Sequence, residues 1–344
     1  MITLGMDSII AGIAVILFGG ILNGTFAVFL KYKNPWKWEN FWLVYSTVAM
    51  VIVPFIWAWL VTPRFLEFLS ALHFDSILYP MIFGTLWGIG SVLFGLSVER
   101  IGMGLSFTII VGIATLIGTV TPLFLHNSFP SLAVFSVLII GLAVIIAGIT
   151  ISGLAGLLRE KSLGIESQSD FSRSYFYGLM IAGLSGIFSS MLNIGFAYGK
   201  GIGEIAKSFG AADANATLSI FVIVLFGGFI INAGYATFLL LKNKSANLYR
   251  NFKIAPWVGS VAAGLFWFGG NGGLYGIGTA YLGKLGTSVG FAVLLASSII
   301  VGNFLGVFSG EWKKTNRALR LQLLSVFILA AGIAVISGAL FVKS

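Results

Sequence analysis

The chain alternates long apolar stretches with short polar connections. Ten of these stretches are about 20 residues long, which is the length a helix needs to cross roughly 30 Å of hydrocarbon. They cover residues 8–30, 41–62, 77–98, 103–125, 132–155, 175–198, 217–241, 256–280, 286–308 and 321–342. Runs such as 134–149 lack the two-residue alternation of a membrane β-barrel. The pattern therefore predicts an all-α membrane protein with ten transmembrane helices.

Composition leads to the same class of protein. Hydrophobic residues make up 58% of the 344 positions and charged residues only 9%, so a soluble protein of this size would lack polar surface. The lipid bilayer is the expected partner. The net charge of +9 arises from cations in the connections, where they orient a membrane protein and do not indicate nucleic-acid binding. The chain has no cysteine, which excludes disulfides and thiolate metal sites.

The cations are distributed unevenly between alternate connections. An N-terminus outside the cell places fifteen of the 20 Lys and Arg residues in cytoplasmic connections: Lys31, Lys33, Lys37, Arg100, Arg159, Lys161, Arg173, Lys242, Lys244, Arg250, Lys253, Lys313, Lys314, Arg317 and Arg320. It leaves five outside: Arg64, Lys200, Lys207, Lys284 and Lys343. Because cytoplasmic connections carry the excess of Lys and Arg, we expect a multi-pass inner-membrane protein with both termini extracytoplasmic.

A polar stretch divides the chain near its midpoint. Residues 156–174 (GLLREKSLGIESQSDFSRS) predict a cytoplasmic linker between two five-helix units, residues 1–155 and 175–344. An odd number of helices per unit requires the second unit to be inverted in the membrane. Traces of a repeat support this, although chance similarity between glycine-rich helices is the alternative. Gly84, Trp87, Gly95 and Gly102 of the third span correspond to Gly264, Trp267, Gly276 and Gly283 of the eighth.

The stretch from Phe83 to Leu123 carries a family resemblance. Its segments FGTLWGIG and GLSVERIGMGLSFTIIVGIATLIGT resemble the third and fourth helices of the L-rhamnose/proton symporter family, within the drug/metabolite transporter superfamily. Residues 227–234 (GGFIINAG) and the run beginning Gly310-Glu311-Trp312 resemble later family segments at similar spacing. The resemblance spans most of the chain. It implies the inverted repeat of that superfamily and import of L-rhamnose or a similar deoxysugar with a proton.

Two tryptophans differ in position from the others. Trp87 and Trp267 lie mid-span, where an indole offers a flat apolar face and one N–H donor, which suits the C–H face and hydroxyls of a sugar. Filling the space beside glycines is the alternative role. The other seven lie near predicted helix ends, as in aromatic belts at membrane interfaces: Trp36, Trp38, Trp42, Trp57, Trp59, Trp257 and Trp312.

Asparagines within the spans complete the predicted binding set. An amide is costly in hydrocarbon, and it can both donate to and accept from hydroxyls. Asn23 and Asn193 lie on the first span of each half, and Asn271 follows Trp267 by one helical turn. Hydrogen bonding between helices is the alternative for each of them. We predict that Asn23, Trp87, Asn193, Trp267 and Asn271 bind substrate.

The coupling ion has weaker support in the residues. No span has a carboxylate or histidine at mid-depth, although proton symport usually uses a titratable group in the pathway. Glu99 with Arg100, and Glu311 with Lys313, are the predicted coupling or gating residues, and an interfacial salt bridge is the alternative for each pair. The resemblance implies a proton, whereas the residues leave sodium or uncoupled transport open.

Other functional classes have little support. Glycine pairs such as Gly88 and Gly90 lie in apolar helices and lack the strand-to-helix context of a nucleotide fingerprint. The spans lack carboxylate and histidine clusters for catalysis or metal binding, so we expect no enzyme, no catalytic residue, no metal and no cofactor. A channel would show charged rings. The predicted function is proton-coupled sugar import by alternating access. Carriage of another sugar or small metabolite, export, and any oligomeric state stay open.

Overall fold

The chain is helical throughout the part that the structure describes, with no β-strand there. The structure is a computed structural model that describes residues 5–125, 129–164, 173–250, 253–313 and 315–342. Its α-helices are α1 (Met6–Thr25), α2 (Trp38–Thr47), α3 (Val53–Val61), α4 (Phe65–Ser70), α5 (Phe74–Ile101), α6 (Met103–Leu125), α7 (Leu132–Ser162), α8 (Arg173–Tyr198), α9 (Lys200–Ser208), α10 (Asp213–Lys242), α11 (Ile254–Phe268), α12 (Tyr275–Tyr281), α13 (Gly286–Phe308) and α14 (Asn316–Gly338).

Shorter helical segments extend or join these helices. A 3₁₀ segment (Phe26–Tyr32) continues α1, and others cover Ala246–Arg250 and Gly283–Leu285. A π-helical segment (Val48–Ile52) joins α2 to α3, and a second (Gly269–Leu274) joins α11 to α12. The two π segments therefore lie inside long helical stretches.

Nine helical segments of the described chain are long and apolar enough to cross a membrane. They correspond to nine of the ten predicted spans, so a multi-pass membrane protein is confirmed. The remaining prediction, 256–280, falls on the helical stretch from Ile254 to Tyr281, which is not among the nine. Its glycines and Asn271 lower its hydropathy.

Helices form here because a backbone in hydrocarbon must satisfy its own hydrogen bonds. Pro80 and Pro122 lie inside α5 and α6, where neighbouring helices compensate for the missing backbone donor. Only Gly102 separates these two helices, and its φ of 80° is a conformation that glycine adopts without strain. α7 continues to Ser162, so helix covers the first residues of the predicted linker, 156–174. Residues 165–172 lie outside the described residues.

The helices pack in a regular order. α8 lies against both α5 and α6, and α1 lies against α13 and the stretch from Gly269 to Tyr281. α10 packs on α5 and on α2 and α3, while α11 packs on α2 and on the 3₁₀ segment after α1. α7 pairs with α14, and α6 with α13. Helices distant in sequence thus build the interior.

Glycines allow the closest of these contacts. A Cβ at Gly84 would collide with the carbonyl oxygen of Val224 on α10, and one at Gly88 would lie 2.9 Å from the carbonyl oxygen of Gly228. Gly84 and Gly88 therefore form a face on which two backbones meet, and their GxxxG spacing is typical of such contacts between membrane helices.

Candidate functional site

Trp87 of α5 and Trp267 of α11 stack on each other in the interior. Their ring centroids are 5.4 Å apart and their planes differ by 25°, within the range of favourable aromatic pairs. The exposed fraction is 9% for Trp87 and 8% for Trp267. A Cβ at Gly228 would lie 2.6 Å from the Trp87 ring, so this glycine leaves the space that the indole fills. In this conformation each ring covers a face of the other.

Asn271 lies in the π segment next to this pair. Its Nδ2 donates to Oδ1 of Asn23 on α1, and Nδ2 of Asn23 donates to Oγ of Ser298 on α13 at 2.9 Å. Asn271 Nδ2 also lies 3.4 Å from the carbonyl oxygen of Trp267. π-Helical turns inside α-helices are frequent at functional sites. The structure thus brings Asn23 and Asn271 together beside one of the two predicted tryptophans.

Asn193, on α8, meets the same stretch one helical turn beyond Asn271, at Tyr275. Its Nδ2 donates to the carbonyl oxygens of Gly118 at 2.7 Å and Thr287 at 3.1 Å. Its Oδ1 accepts a hydrogen bond from the hydroxyl of Tyr275, a buried residue outside the predicted set. The three predicted asparagines therefore form two hydrogen-bonded groups, one at Asn271 and one at Tyr275. In this conformation every one of these amides bonds another helix.

Aromatic side chains connect the tryptophan stack to one end of the molecule. Trp38 stacks on Trp42 with centroids 4.8 Å apart, Trp42 lies 4.8 Å from Tyr45, and Tyr45 meets Trp267 edge-on at 6.4 Å. We call Trp38, Trp42, Tyr45, Trp267 and Trp87 the aromatic row. The i, i+4, i+7 spacing of Trp38, Trp42 and Tyr45 is the sequence signal that places these three residues on one helix face.

Asn232 of α10 provides polar contacts along this row. Its Oδ1 accepts from Nε1 of Trp42 at 2.9 Å and from Oγ of Ser91 at 2.8 Å, and its Nδ2 donates to the carbonyl oxygen of Gly228 at 2.9 Å. The side chain is buried. Asn232 is therefore an interior polar group that the sequence prediction left out of the binding set.

The aromatic-belt prediction is wrong for several tryptophans. Trp36 and Trp312 are buried, Trp42 bonds Asn232, and the ring of Trp57 lies against Gly273. Trp36 bonds the connection after α10, whereas Trp42 and Trp57 contact other helical segments, so an indole near a predicted end can still face the interior. Trp38, Trp59 and Trp257 are exposed, as the prediction requires.

A recess opens where α8, α9, α10, α12 and α13 meet. Its volume is about 680 Å³, and its inner wall includes Phe196 and Thr287. Phe196 contacts the ring of Tyr275 with centroids 5.5 Å apart, so the recess ends next to the Asn193–Tyr275 group. Charged side chains line its outer part: Lys200, Glu204, Lys207, Asp213 and Lys284.

Glu311 joins three chain segments at the opposite end of the molecule. Its carboxylate lies 3.0 Å from Nζ of Lys31 and 3.5 Å from Nη1 of Arg159, rather than pairing with Lys313 as predicted. Partial burial acts to raise the pKa of Glu311, but hydrogen bonds from Lys31 and Ser309 and the two positive charges lower that pKa below its ordinary value of 4.5. Glu311 is therefore ionised at neutral pH.

The predicted pair of Glu99 and Arg100 does not form within the described part of the chain. Arg100 Nη1 donates to the carbonyl oxygen of Leu96 at 2.8 Å, and Glu99 is exposed. Consecutive residues of a helix project in different directions, so the two side chains do not face each other. The described residues also contain no group of three His, Asp or Glu side chains arranged to hold a metal.

A model of one protein family matches nearly the whole chain. The family is described as L-rhamnose-proton symport protein (RhaT), and the match covers residues 6–336. The chain belongs to this L-rhamnose-proton symporter family. The resemblance in the sequence is confirmed, and so is the expectation of a transporter rather than an enzyme. All predicted site residues lie inside the matched range.

Named relatives in the symporter family are similar over their full length. An L-rhamnose-proton symporter of Yersinia pestis bv. Antiqua (strain Antiqua) is 28% identical over 339 residues, covering 95% of this chain and 97% of the relative. The protein of the same name from Yersinia pseudotuberculosis serotype O:3 (strain YPIII) has the same identity and coverage. A solved crystal structure is similar over 96% of both chains, with a TM-score of 0.53 and 12% identity, which indicates a shared fold alone.

Proposed function

We propose that this chain is a secondary active transporter of the cell inner membrane that imports L-rhamnose, or a similar deoxysugar, together with a proton. The full-length similarity to relatives named L-rhamnose-proton symporters supports the substrate and the ion. Those names specify a proton and not sodium. Family membership thus supports the proposed reaction, and the contacts among the predicted residues support the proposed site.

The stretch from Ile254 to Tyr281 is the tenth transmembrane helix in this proposal. It is helical without a break across α11, the π segment and α12. It lies between α1, α2 and α10, and its π segment is buried. A helix enclosed by other helices tolerates glycine and asparagine better than one facing lipid, which is why low hydropathy does not exclude it.

The two halves are inverted repeats in this proposal, and the packing order supports it. α5 of the first half packs on α8 and α10. Its counterpart in the second half, the stretch from α11 to α12, packs on α1 and α2, which are the counterparts of α8 and α10. α6 packs on α8, and its counterpart α13 packs on α1. Exchanging each helix with its counterpart therefore leaves these pairings unchanged.

Reciprocal contacts between α7 and α14 indicate the direction of the symmetry axis that relates the two proposed repeats. Gly141 meets Ile336, and Gly332 meets Ile145. The same number of residues separates Gly141 from Gly332 as Ile145 from Ile336, and such reciprocity is typical of a twofold axis. In these two contacts the residue numbers increase along α7 and decrease along α14, so the two helices are antiparallel. Antiparallel counterparts favour a twofold axis that lies in the membrane plane. Trp87 and Trp267 are corresponding residues of the two repeats and contact each other, so in this proposal their pair lies on that axis.

The sugar binds at this tryptophan pair in the proposed mechanism. One indole packs against the C–H face of the sugar, and the amides of Asn23, Asn271 and Asn193 exchange their interhelical hydrogen bonds for bonds to its hydroxyls. Because the indoles now cover each other, the stack opens to admit the ring. The recess is the extracytoplasmic approach, and the network of Glu311 closes the cytoplasmic end.

Proton coupling is tested by sugar addition to de-energised membrane vesicles that contain the protein. Entry of L-rhamnose should remove protons from the medium and raise its pH. A panel of labelled monosaccharides identifies the substrate in the same preparation. Uptake that follows a sodium gradient without any pH change would reject the proton.

The binding site is tested by Trp87→Ala and Asn271→Ala. Each removes one packing surface or one hydrogen bond, so half-saturation for the sugar should rise about 3- to 10-fold. Trp59→Ala is the matched control because Trp59 is exposed on α3. Unchanged half-saturation in both site variants, with normal membrane insertion, contradicts the site and leaves the transport reaction standing.

A further inference from the structure

One buried carboxylate has no role in the site described above. Glu39, in the first turn of α2, has an exposed fraction of 4%. It is the one buried side chain among the Asp, Glu, Lys, Arg and His residues that the structure describes. A buried charge is costly unless it is compensated, so this position calls for a physical reason.

The partners of Glu39 are neutral. Oε1 accepts from Nδ2 of Asn243 at 2.9 Å and from Oγ of Ser245 at 2.7 Å, and no Lys or Arg in the described part of the chain forms an ion pair with it. Two neutral donors stabilise the ionised carboxylate by hydrogen bonding. A proton on Glu39 would weaken both bonds, because they are stronger to an ionised acceptor.

Glu39 is part of a latch between α2 and the connection after α10. Asn40 Nδ2 donates to the carbonyl oxygen of Ser245 at 2.9 Å, the Tyr249 hydroxyl donates to the carbonyl oxygen of Asn40 at 3.0 Å, and Trp36 Nε1 donates to that of Leu248 at 3.2 Å. The latch therefore joins residues 36–40 to residues 243–249. It lies at the end of the molecule where the aromatic row begins with Trp38.

The opposite end of the molecule has a comparable contact without a buried acid. There the start of α10 meets the end of α3 through the hydroxyls of Thr62 and Ser219, 3.0 Å apart. The acid in the first turn of α10, Asp213, has a side chain that is 87% exposed and pairs with Lys207. Of these two contacts, the latch at Glu39 is the one that combines a buried carboxylate with neutral donors.

We propose that Glu39 is the proton-binding group of the transporter, and that its ionised form latches the cytoplasmic end of the aromatic row. This inference rests on the proposed proton symport. Glu39 takes up one proton from the extracytoplasmic side and becomes a neutral carboxylic acid. The bonds to Asn243 and Ser245 then weaken, and residues 243–249 move away from α2. Loss of the proton to the cytoplasm restores the carboxylate and closes the latch.

Glu39 is the group in the latch that changes its protonation state in this proposal, and its titratable neighbours are as follows. Lys37 precedes it, and burial raises the pKa of Tyr249 to about 12, so that hydroxyl stays protonated. The other titratable groups on the elements packed against the start of α2 are Tyr235, Lys242, Lys244, Arg250 and Lys253. The four cations among them are exposed.

Glu39→Gln separates coupling from translocation in proteoliposomes. Counterflow of labelled L-rhamnose needs no net proton movement and should stay within about threefold of wild type, while accumulation driven by an inward proton gradient should fall to the level without a gradient. Glu67→Gln, at an exposed acid on α4 paired with Arg64, is the matched control and should accumulate sugar as wild type does. Gradient-driven accumulation by Glu39→Gln at the wild-type level overturns the proposal.

A second variant keeps the test decisive if Glu39→Gln does not fold. Asn243→Ala removes one donor to the carboxylate, so the pH midpoint of uptake should move to higher pH. An unchanged midpoint overturns the role of Glu39. A wild-type protein that shows no proton-driven accumulation overturns the symport itself. If both the wild type and Glu39→Gln accumulate sugar in response to the proton gradient, only the role of Glu39 is rejected.

Discussion

Gly228 shows how a single residue decides the geometry of the tryptophan stack. It has no side chain, and the Trp87 ring occupies the space where a Cβ would lie. The same residue accepts a hydrogen bond from Asn232 through its carbonyl oxygen. Trp87 can therefore reach Trp267 only because α10 carries glycine here.

Gly228→Ala should weaken sugar binding. The added methyl group would lie 2.6 Å from the Trp87 ring, and overpacking of this kind costs about 1–3 kcal/mol, so half-saturation should rise about tenfold as the stack is displaced. Uptake kinetics with labelled sugar measure this. Gly234→Ala on the same helix is the control, since nothing lies within 4 Å of a Cβ there. Equal kinetics in the two variants would contradict the prediction.

Tyr275→Phe should destabilise the protein. It removes the hydroxyl that donates to Oδ1 of buried Asn193, and a buried acceptor left without its donor costs about 1–3 kcal/mol. The midpoint of thermal unfolding in detergent should fall. Tyr281→Phe serves as the control because Tyr281 is exposed. A midpoint unchanged from wild type would show that this hydrogen bond contributes nothing.

At the scale of the element, the stretch from α11 to α12 determines the geometry of the proposed site. It carries Trp267, Asn271 and Tyr275 at successive turns, and each of these contacts a different helix: α5, α1 and α8. Its π segment places Asn271 towards α1. This one stretch thus links the tryptophan stack to both asparagine groups, and its low hydropathy is a consequence of that role.

The glycine face of α5 gives a prediction at the same scale. Gly84→Ala would bring a methyl group onto the backbone of α10 at Val224, so the two helices must separate and stability should fall by about 1–3 kcal/mol. Gly95→Ala on the same helix meets nothing within 4 Å and should be neutral or up to about 1 kcal/mol stabilising. Thermal midpoints in detergent compare them, and similar losses in both would refute the contact face.

At the scale of the whole molecule, the two ends differ in chemistry. The end with the recess carries Lys207 between Glu204 and Asp213. The other end is held by the ion pairs of Glu311 with Lys31 and Arg159 and by the latch at Glu39. In this conformation these contacts join several chain segments at the end that the Lys and Arg distribution assigns to the cytoplasm.

Glu311→Gln should open that end. Because the pKa of Glu311 lies below its ordinary value, its ion pairs are present at neutral pH and are lost as the pH falls through the lowered value. A single cysteine in place of Ser91 reports access, since the chain has no other cysteine. In inverted vesicles at pH 7, Glu311→Gln should label faster than its parent. Equal labelling rates, with Lys31→Gln also unchanged, would show that the ion pairs do not close the cytoplasmic end.

The sequence by itself determined the class of the protein and most of its helices. A backbone in hydrocarbon can satisfy its hydrogen bonds only as a helix or a closed barrel, so apolar length and the absence of alternation suffice to locate the spans. Mid-span position alone also singled out Trp87 and Trp267, because an indole far from both interfaces needs a particular neighbour. The family resemblance in residues 83–123, 227–234 and the run beginning at Gly310 was sufficient to name the family.

Only the tertiary structure decided which polar groups meet. The partner of Trp42 is Asn232 and that of Asn193 is Tyr275, and each pair joins helices far apart in the chain. Glu39 looks from the sequence like an acid at a helix start, and it is buried because residues 243–249 fold over it. Hydropathy records the preference of each residue for lipid, whereas a buried hydrogen bond depends on how several helices pack at once.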